Sequence, residues 1–271
     1  MSIKDEYIRY RDENNLRTAN FEDRVVLQRF LRDHLEDIWS EKPNFTNGGL
    51  FKNHMTGFAI GFAYYDCQPS RFCKTRCYGL PIAGLNDYFM LRLAVMTSES
   101  LKTEDPRYLE PLSRKLKSLD YLKIGHWGDA AVEQIPVIEK LVRQHAKTTF
   151  WWYTRKMQVA LEANSRELAN LRVYLSLDPS TPYPSRADYP FGITYFFGDN
   201  QYHDKHDEIL NDPRLVAIFT VKKRAAVEDP ELYGVAEHPR MCIEKRSQAE
   251  AGRHGNLFCL TCSGRCNFAP R

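Results

Sequence analysis

Over the first 45 or so residues, Val25, Val26, Leu27, Phe30, Leu31, Leu35, Ile38 and Trp39 recur near helical spacing among charged neighbours. That pattern predicts a helical preface capping a larger domain. Asn and Gly at 46–49 break it. Short apolar runs then predict strands at 58–65, 121–126, 149–154, 171–176, 193–197 and 215–221. Each is rich in aromatic or β-branched residues and is followed by Gly, Asp, Ser, Asn or Lys. Amphipathic stretches at 85–96, 108–119 and 131–145 lie between them. Strand and helix in alternation argue for an α/β fold with a parallel sheet buried on both faces. Six such units suit a partial (βα)6 barrel, a relative of the eight-stranded barrel that closes only in part. Pro179, Pro182, Pro184 and Pro190 forbid a regular helix at 178–190, so that crossover is expected to be a loop. After Val221 the chain turns charged and loop-like. The expected division is a helical extension at 1–50, the α/β unit at 51–225 and a cysteine-rich tail at 226–271. No internal repeat interrupts this order.

A chain of 271 residues, 43% hydrophobic, can fill one large core. Its 38 basic and 35 acidic residues give a formal charge of +3, too little for a strong overall field toward nucleic acid or an anionic membrane. The N-terminus lacks the continuous apolar stretch of a signal peptide or membrane span, so the expectation is a soluble, cytoplasmic protein with no membrane partner. In a reducing cytoplasm, clustered cysteines suggest metal or redox chemistry rather than disulfides. The seven here divide into three and four.

Cys67, Cys73 and Cys77 fall within eleven residues directly after the first expected strand. Three thiolates on one loop can wrap a 4Fe-4S cluster and leave one iron open to a small molecule. Arg71, Lys74 and Arg76 would offset its negative charge. Buried structural cysteines, or a zinc site completed by His54 or a late cysteine, are the other readings. In the tail, Cys259, Cys262 and Cys266 form a knuckle around Gly264, and Cys242 supplies a fourth ligand by looping back. Four such thiolates hold zinc or a second 4Fe-4S cluster, as a staple for the tail.

These features in this order resemble the phage gene-product-88 family. They are the loop ending in Cys77-Tyr78, the strand ending in Gly128-Asp129, the strand from Phe150 to Lys156, the strand leading to Leu175-Ser176, and the late cysteines. The resemblance covers about residues 58–268, and that family is itself similar to radical S-adenosylmethionine (SAM) proteins. The resemblance implies a barrel whose cluster is held by Cys67, Cys73 and Cys77, with the open iron chelating the methionine moiety of SAM. The gaps between these cysteines, five and three residues, are wider than those proteins usually have. The resemblance also implies that Gly128 and Asp129 receive the methionine amino group, with Gly128 permitting close approach.

Asp129 also suits a helix N-cap, with Glu133 nearby. Ser176 and Asp178 are candidate ribose or substrate contacts by position. Thr154, Arg155 and Lys156 could meet a carboxylate or phosphate, and Tyr78 or Trp127 could pack on adenine. A solvated strand end explains the polar residues nearly as well. His203 and His206, with Asp199 and Asn200, read as a charged surface helix before a metal site. The expected function is a radical SAM-like enzyme acting on an unknown substrate and drawing electrons from a flavodoxin or ferredoxin. Its rivals are a non-SAM iron-sulfur redox or binding protein and a zinc-stapled nucleic-acid-binding module, the latter motivated by Arg246, Arg253, Arg265 and Arg271 around the knuckle.

Overall fold

A computed structural model describes residues 2–45, 47–53, 57–77, 87–198, 201–220 and 238. The preface forms α1 (Ile3–Glu13), α2 (Phe21–Asp33) and α3 (Leu35–Ser40). Ser2 caps α1 by accepting the Asp5 N–H, and Asn20 caps α2 by accepting those of Glu22 and Asp23. The stripe read from the sequence is real, since Leu27, Leu31 and Ile38 are fully buried. It is more than a lid, because α2 reaches into the main body. Gln28 accepts the Tyr64 N–H at 2.5 Å, and Arg24 donates to the Tyr64 hydroxyl at 2.9 Å.

The main body is one seven-stranded sheet in chain order. The strands are β1 (Phe51–Asn53), β2 (Gly57–Ile60), β3 (Tyr121–Ile124), β4 (Thr149–Thr154), β5 (Leu171–Leu177), β6 (Ile193–Phe197) and β7 (Leu215–Thr220). From β2 to β7 every neighbouring pair is parallel, and β1 adds an antiparallel edge with Phe51 opposite Ala59. Parallel neighbours need crossovers. After α4 (Arg71–Arg76), these come from α5 (Asp87–Thr103) and α6 (Pro106–Leu116) before β3, α7 (Ile135–Gln144) before β4, α8 (Met157–Asn164) before β5 and α9 (His206–Leu210) before β7. The β5–β6 crossover has no helix, as its prolines require. Among the described residues β7 pairs with β6 alone, so the sheet is open. Among them, too, no helix is long and apolar enough to cross a membrane.

Register sorts side chains onto two faces. Ile124, Trp152 and Val173 align across β3, β4 and β5 and belong to the large hydrophobic core, with Leu177, Tyr195 and Phe197. The opposite face is buried in part, by Trp151, Tyr174 and Ala217. It also carries half-buried Lys123, Tyr153, Phe196 and Phe219, with Tyr153 stacked on Tyr174 at 5.7 Å and edge-on to Phe219 at 5.6 Å.

Several expected elements differ at their ends: the strand expected at 121–126 stops at Ile124, and the helices expected at 85–96, 108–119 and 131–145 run Asp87–Thr103, Pro106–Leu116 and Ile135–Gln144. The first long strand ends at Ile60 instead of 65, and the apolar run continues because residues 61–64 are buried in a turn. The backbone still pairs there: Ile60 O accepts the His126 N–H at 2.7 Å and Trp127 O accepts the Phe62 N–H at 2.8 Å. Gly125 and Gly128, at φ +78° and +69°, bend the facing chain out of strand geometry. The cysteine segment is not all loop, since Cys73 lies within α4.

His145, at the C-terminus of α7, is buried with Nε2 2.9 Å from the Ser113 hydroxyl. Burial, followed by the Lys117 charge, pushes its pKa below the ordinary 6.5. The unfolded chain therefore takes up this proton first as pH falls. The stabilising contribution is complete above about pH 6.5 and is lost below it as the pH falls through the folded value. Thermal unfolding at about pH 7.5 and pH 5 should show an acid loss that is smaller in His145→Gln. An equal loss in both proteins would assign the acid sensitivity elsewhere.

Candidate functional site

The site gathers where β2, β3, β4 and β5 end. Cys67 follows the turn Tyr64–Asp66, which buried polar contacts lock in place. Ala63 N–H donates to Ser98 at 2.8 Å, and Asp66 pairs with Lys102 at 2.8 Å and accepts from Gln134 at 3.2 Å. Glu99 ties the same lysine at 3.0 Å to the Tyr65 hydroxyl at 2.8 Å.

Cys73 is held from the other side. Ser70 is the N-cap of α4: its hydroxyl accepts the Cys73 N–H at 3.0 Å and donates to Asp178 at 2.5 Å. The Phe72 N–H donates to the Ser180 hydroxyl at 2.9 Å, and Ser180 in turn donates through its backbone and hydroxyl to Asp178. Asp178 is completely buried. Both its oxygens serve this clamp and the Arg155 ion pair at 3.4 Å, so it is spent on holding the cysteine helix rather than exposed for a ribose contact. Cys77 closes the C-terminus of α4.

The three thiols share one neighbourhood. Cys73 and Cys77 are hydrogen-bonded, while Cys67 feels both Cys73 and the Asp129 carboxylate. Burial pushes the Cys67 thiol up, and for Cys73 the Cys77 hydrogen bond comes first and burial second. Such thiols keep their protons near neutral pH and are poor nucleophiles unless a metal displaces the proton. Among the described residues no group of three or more His, Cys, Asp or Glu is arranged to hold a single metal ion.

Asp129 is buried beside Cys67. It is not a helix cap: the short turn Val132–Gln134 begins after Ala131, whose N–H goes to Gln134 at 2.9 Å. Instead its Oδ2 accepts the Arg155 N–H at 2.8 Å, and Oδ1 has no hydrogen-bond partner among the described residues. Burial raises its pKa, against the Thr154 hydroxyl, the Arg155 N–H and the Lys156 and Arg155 charges. Thr154 is buried and accepts the Lys156 N–H at 3.1 Å, while the Lys156 ammonium is held by Ala130 O at 2.9 Å.

The structure thus brings together Cys67, Cys73, Cys77, Gly128, Asp129, Thr154, Arg155 and Lys156. Trp127 is buried with its ring 3.9 Å from Phe51 and 4.6 Å from His126. Ser176 is buried on β5 in register with Thr194. His203 is buried, not on a charged surface; its Nε2 meets Thr181 O at 2.8 Å and its Nδ1 accepts the Lys205 N–H at 2.9 Å. His206 meets the Tyr195 hydroxyl at 3.0 Å. His54, Tyr78, Asp199, Asn200, Cys242, Cys259, Cys262 and Cys266 lie outside the described residues. Asp66, Ser98, Gln134 and Ser180 were not legible as site supports. Ser70 was missed too, although a Ser three residues before Cys73 is an N-cap signal that could have found it.

In comparison with known proteins, the family model described as gene product 88 matches residues 31–259. No curated protein and no solved structure matches the chain.

Proposed function

The chain belongs to the gene product 88 family, and on that premise we propose that it is a radical SAM-like iron-sulfur enzyme built on a partial (βα)6 barrel. Cys67, Cys73 and Cys77 would hold a 4Fe-4S cluster with one iron open, and Cys242, Cys259, Cys262 and Cys266 zinc or a second cluster. When bound, the reduced cluster supplies the electron for reductive cleavage of SAM, which starts radical chemistry on the substrate.

The observation that carries this reading is the buried Asp129 Oδ1, without a hydrogen-bond partner among the described residues, beside three clustered cysteines. Leaving a buried carboxylate oxygen unsatisfied is costly, and a ligand amino group placed there would satisfy it. A cubane's thiolates bind separate irons, so Cys67, Cys73 and Cys77 need not converge on one point to hold it. Arg155, close enough to feel Cys73 and Cys77, would offset the charge of ionised thiolates. Six parallel strands in chain order also accord with a partial barrel, whose ligands gather at strand ends. Gly128 brings the backbone close, Thr154 and the Arg155 N–H orient Asp129, and the Ser70–Asp178 clamp fixes the cysteine helix.

Asp129→Asn keeps the size and removes the charge. It is expected to weaken SAM binding by roughly 1.5–3 kcal/mol, the scale of a charged hydrogen bond, while the iron content stays at the wild-type level. The test incubates anaerobically reconstituted, reduced protein with SAM, follows the cluster's spin-resonance signal and looks for 5′-deoxyadenosine. A fully loaded cluster with no spectral shift and no product would reject the SAM reading and leave iron-sulfur binding or electron transfer.

A further inference from the structure

One rung of the sheet sets two cations beside an indole. Lys123 on β3, Trp151 on β4 and Arg172 on β5 are register partners, so their side chains share the partly buried face turned away from the large core. Trp151 is 6% exposed, and its Nε1, which can only donate, has no hydrogen-bond partner among the described residues. Arg172 pairs with no carboxylate among those residues; its Nη1 donates to Ala169 O at 2.7 Å and to Leu171 O at 3.3 Å. None of the seven strands contains Asp or Glu. The rung thus gathers N–H donors and positive charge on a sheet that carries no acid, and an anion completes it.

The same face changes character toward the cysteines. Two residues on from Trp151, about 7 Å along the strand, Tyr153 has a half-buried ring with the Lys123 ammonium 6.0 Å from its centre. Beyond it stands Thr194 on β6, fully buried, whose Oγ1 has no hydrogen-bond partner among the described residues. Thr194 is in register with Ser176, two residues short of the Asp178 that clamps the cysteine helix. The face therefore runs from cations and an N–H donor, through an aromatic ring, to an unpartnered hydroxyl, over about 13 Å from Arg172 to Ser176. An inorganic phosphate would meet only the first of these, and an apolar ring only the second. A nucleotide carries all three in that order: an anionic phosphate, then across the sugar a flat base that stacks on an aromatic ring, and the polar edge of that base.

We propose that this face binds a nucleotide, its phosphate on Lys123, Arg172 and the Trp151 N–H, its base against Tyr153, and the base edge at Thr194. The inference names the substrate class of the proposed enzyme and rests on that reading only for the chemistry done to the nucleotide. With the phosphate on the far rung, the base lies toward the cysteines.

The test is anaerobic calorimetry on the cluster-loaded full chain with the 5′-monophosphates of the common nucleosides, the parent nucleosides, inorganic phosphate and a short single-stranded oligonucleotide. At least one monophosphate is expected to bind roughly tenfold or more tighter than its nucleoside, the scale of a charged hydrogen bond, and tighter than inorganic phosphate. Arg172→Gln should lower that ratio several-fold and leave nucleoside affinity unchanged. Tyr153→Leu should weaken monophosphate and nucleoside alike by roughly tenfold, the loss of one base stack. Thr194→Val, which removes the hydroxyl, should change the preference among bases. If Tyr153→Leu fails to fold, Arg172→Gln, at a half-buried position, carries the test. An oligonucleotide bound tighter than the monophosphate makes the ligand a unit of a single strand, and one bound no tighter makes it a free nucleotide. Inorganic phosphate bound as tightly as every monophosphate, no binding of any monophosphate, or a ratio unmoved in Arg172→Gln overturns the proposal. Monophosphate binding by a chain that yields no 5′-deoxyadenosine from SAM would sink the SAM reading and uphold the nucleotide site. SAM cleavage by a chain that binds no monophosphate would do the reverse.

Discussion

Gly128→Ala is expected to destabilise the protein by about 3 kcal/mol or more, the sum of a left-handed backbone forced on a residue with a side chain and a steric clash. Gly128 has φ +69°, and a Cβ there would stand 2.1 Å from Phe62 O and 2.6 Å from Phe62 C. Both atoms are backbone, and the Phe62 N–H is fixed to Trp127 O at 2.8 Å, so neither side can yield by turning a side chain. Gly125→Ala is the internal control. It has φ +78°, but its nearest contact is Tyr153 O at 3.4 Å, ordinary packing, so it carries conformational strain of about 1 kcal/mol alone. In a chain of this size the two changes should lower the melting temperature by about 6–12 °C and about 2–4 °C. Gly128→Ala should also load less iron, because the contact it breaks joins the chain entering Cys67 to the turn carrying Asp129. Equal melting temperatures for the two variants would show that the close approach of Gly128 to Phe62 contributes nothing.

That contact also shows where sequence reading succeeds and stops. The runs of β4 and β6 were legible to the residue because each is short, rich in aromatic or β-branched residues, and followed by a charged residue or a glycine. The run 58–65 was overread for the opposite reason: Phe62, Ala63 and Tyr64 are buried in a turn, and apolar character reports burial before it reports conformation. β1, three residues long, is too short to show a period of two. The cysteines were visible as a group because their chemistry is local in sequence. Their supports were not, since Ser70 and Phe72 meet Asp178 and Ser180 across 108 residues, and Asp66 meets Gln134 across 68. Asp178 read as a ligand contact because it stands at a strand end, and only tertiary structure reveals that its lone pairs are already in use. Asp129 was legible twice over, as cap or as ligand acceptor, and the unpartnered Oδ1 favours the second.

The triple variant Cys67→Ala, Cys73→Ala, Cys77→Ala is expected to lose about four irons per chain, the content of one cubane, and with them any cleavage of SAM. Anaerobically reconstituted wild type should carry about four irons if the tail binds zinc and about eight if both sites hold cubanes. The variant should fall by about four in either case, leaving the tail metal in place. The fold should survive, since Cys67, Cys73 and Cys77 are only partly buried and Ala is close to Cys in volume. What remains after their removal is the polar frame: Ser70 still caps α4, Asp178 still holds Ser70 and Ser180, and Lys102 still holds Asp66. Unfolding temperature and iron content therefore report separate things, and a variant that keeps its melting temperature while losing iron is the expected result. Iron undiminished in the triple variant would move the cluster elsewhere in the chain. Zinc alone at both sites after anaerobic reconstitution would end the iron-sulfur reading, because a closed zinc ion leaves no open metal position beside Asp129.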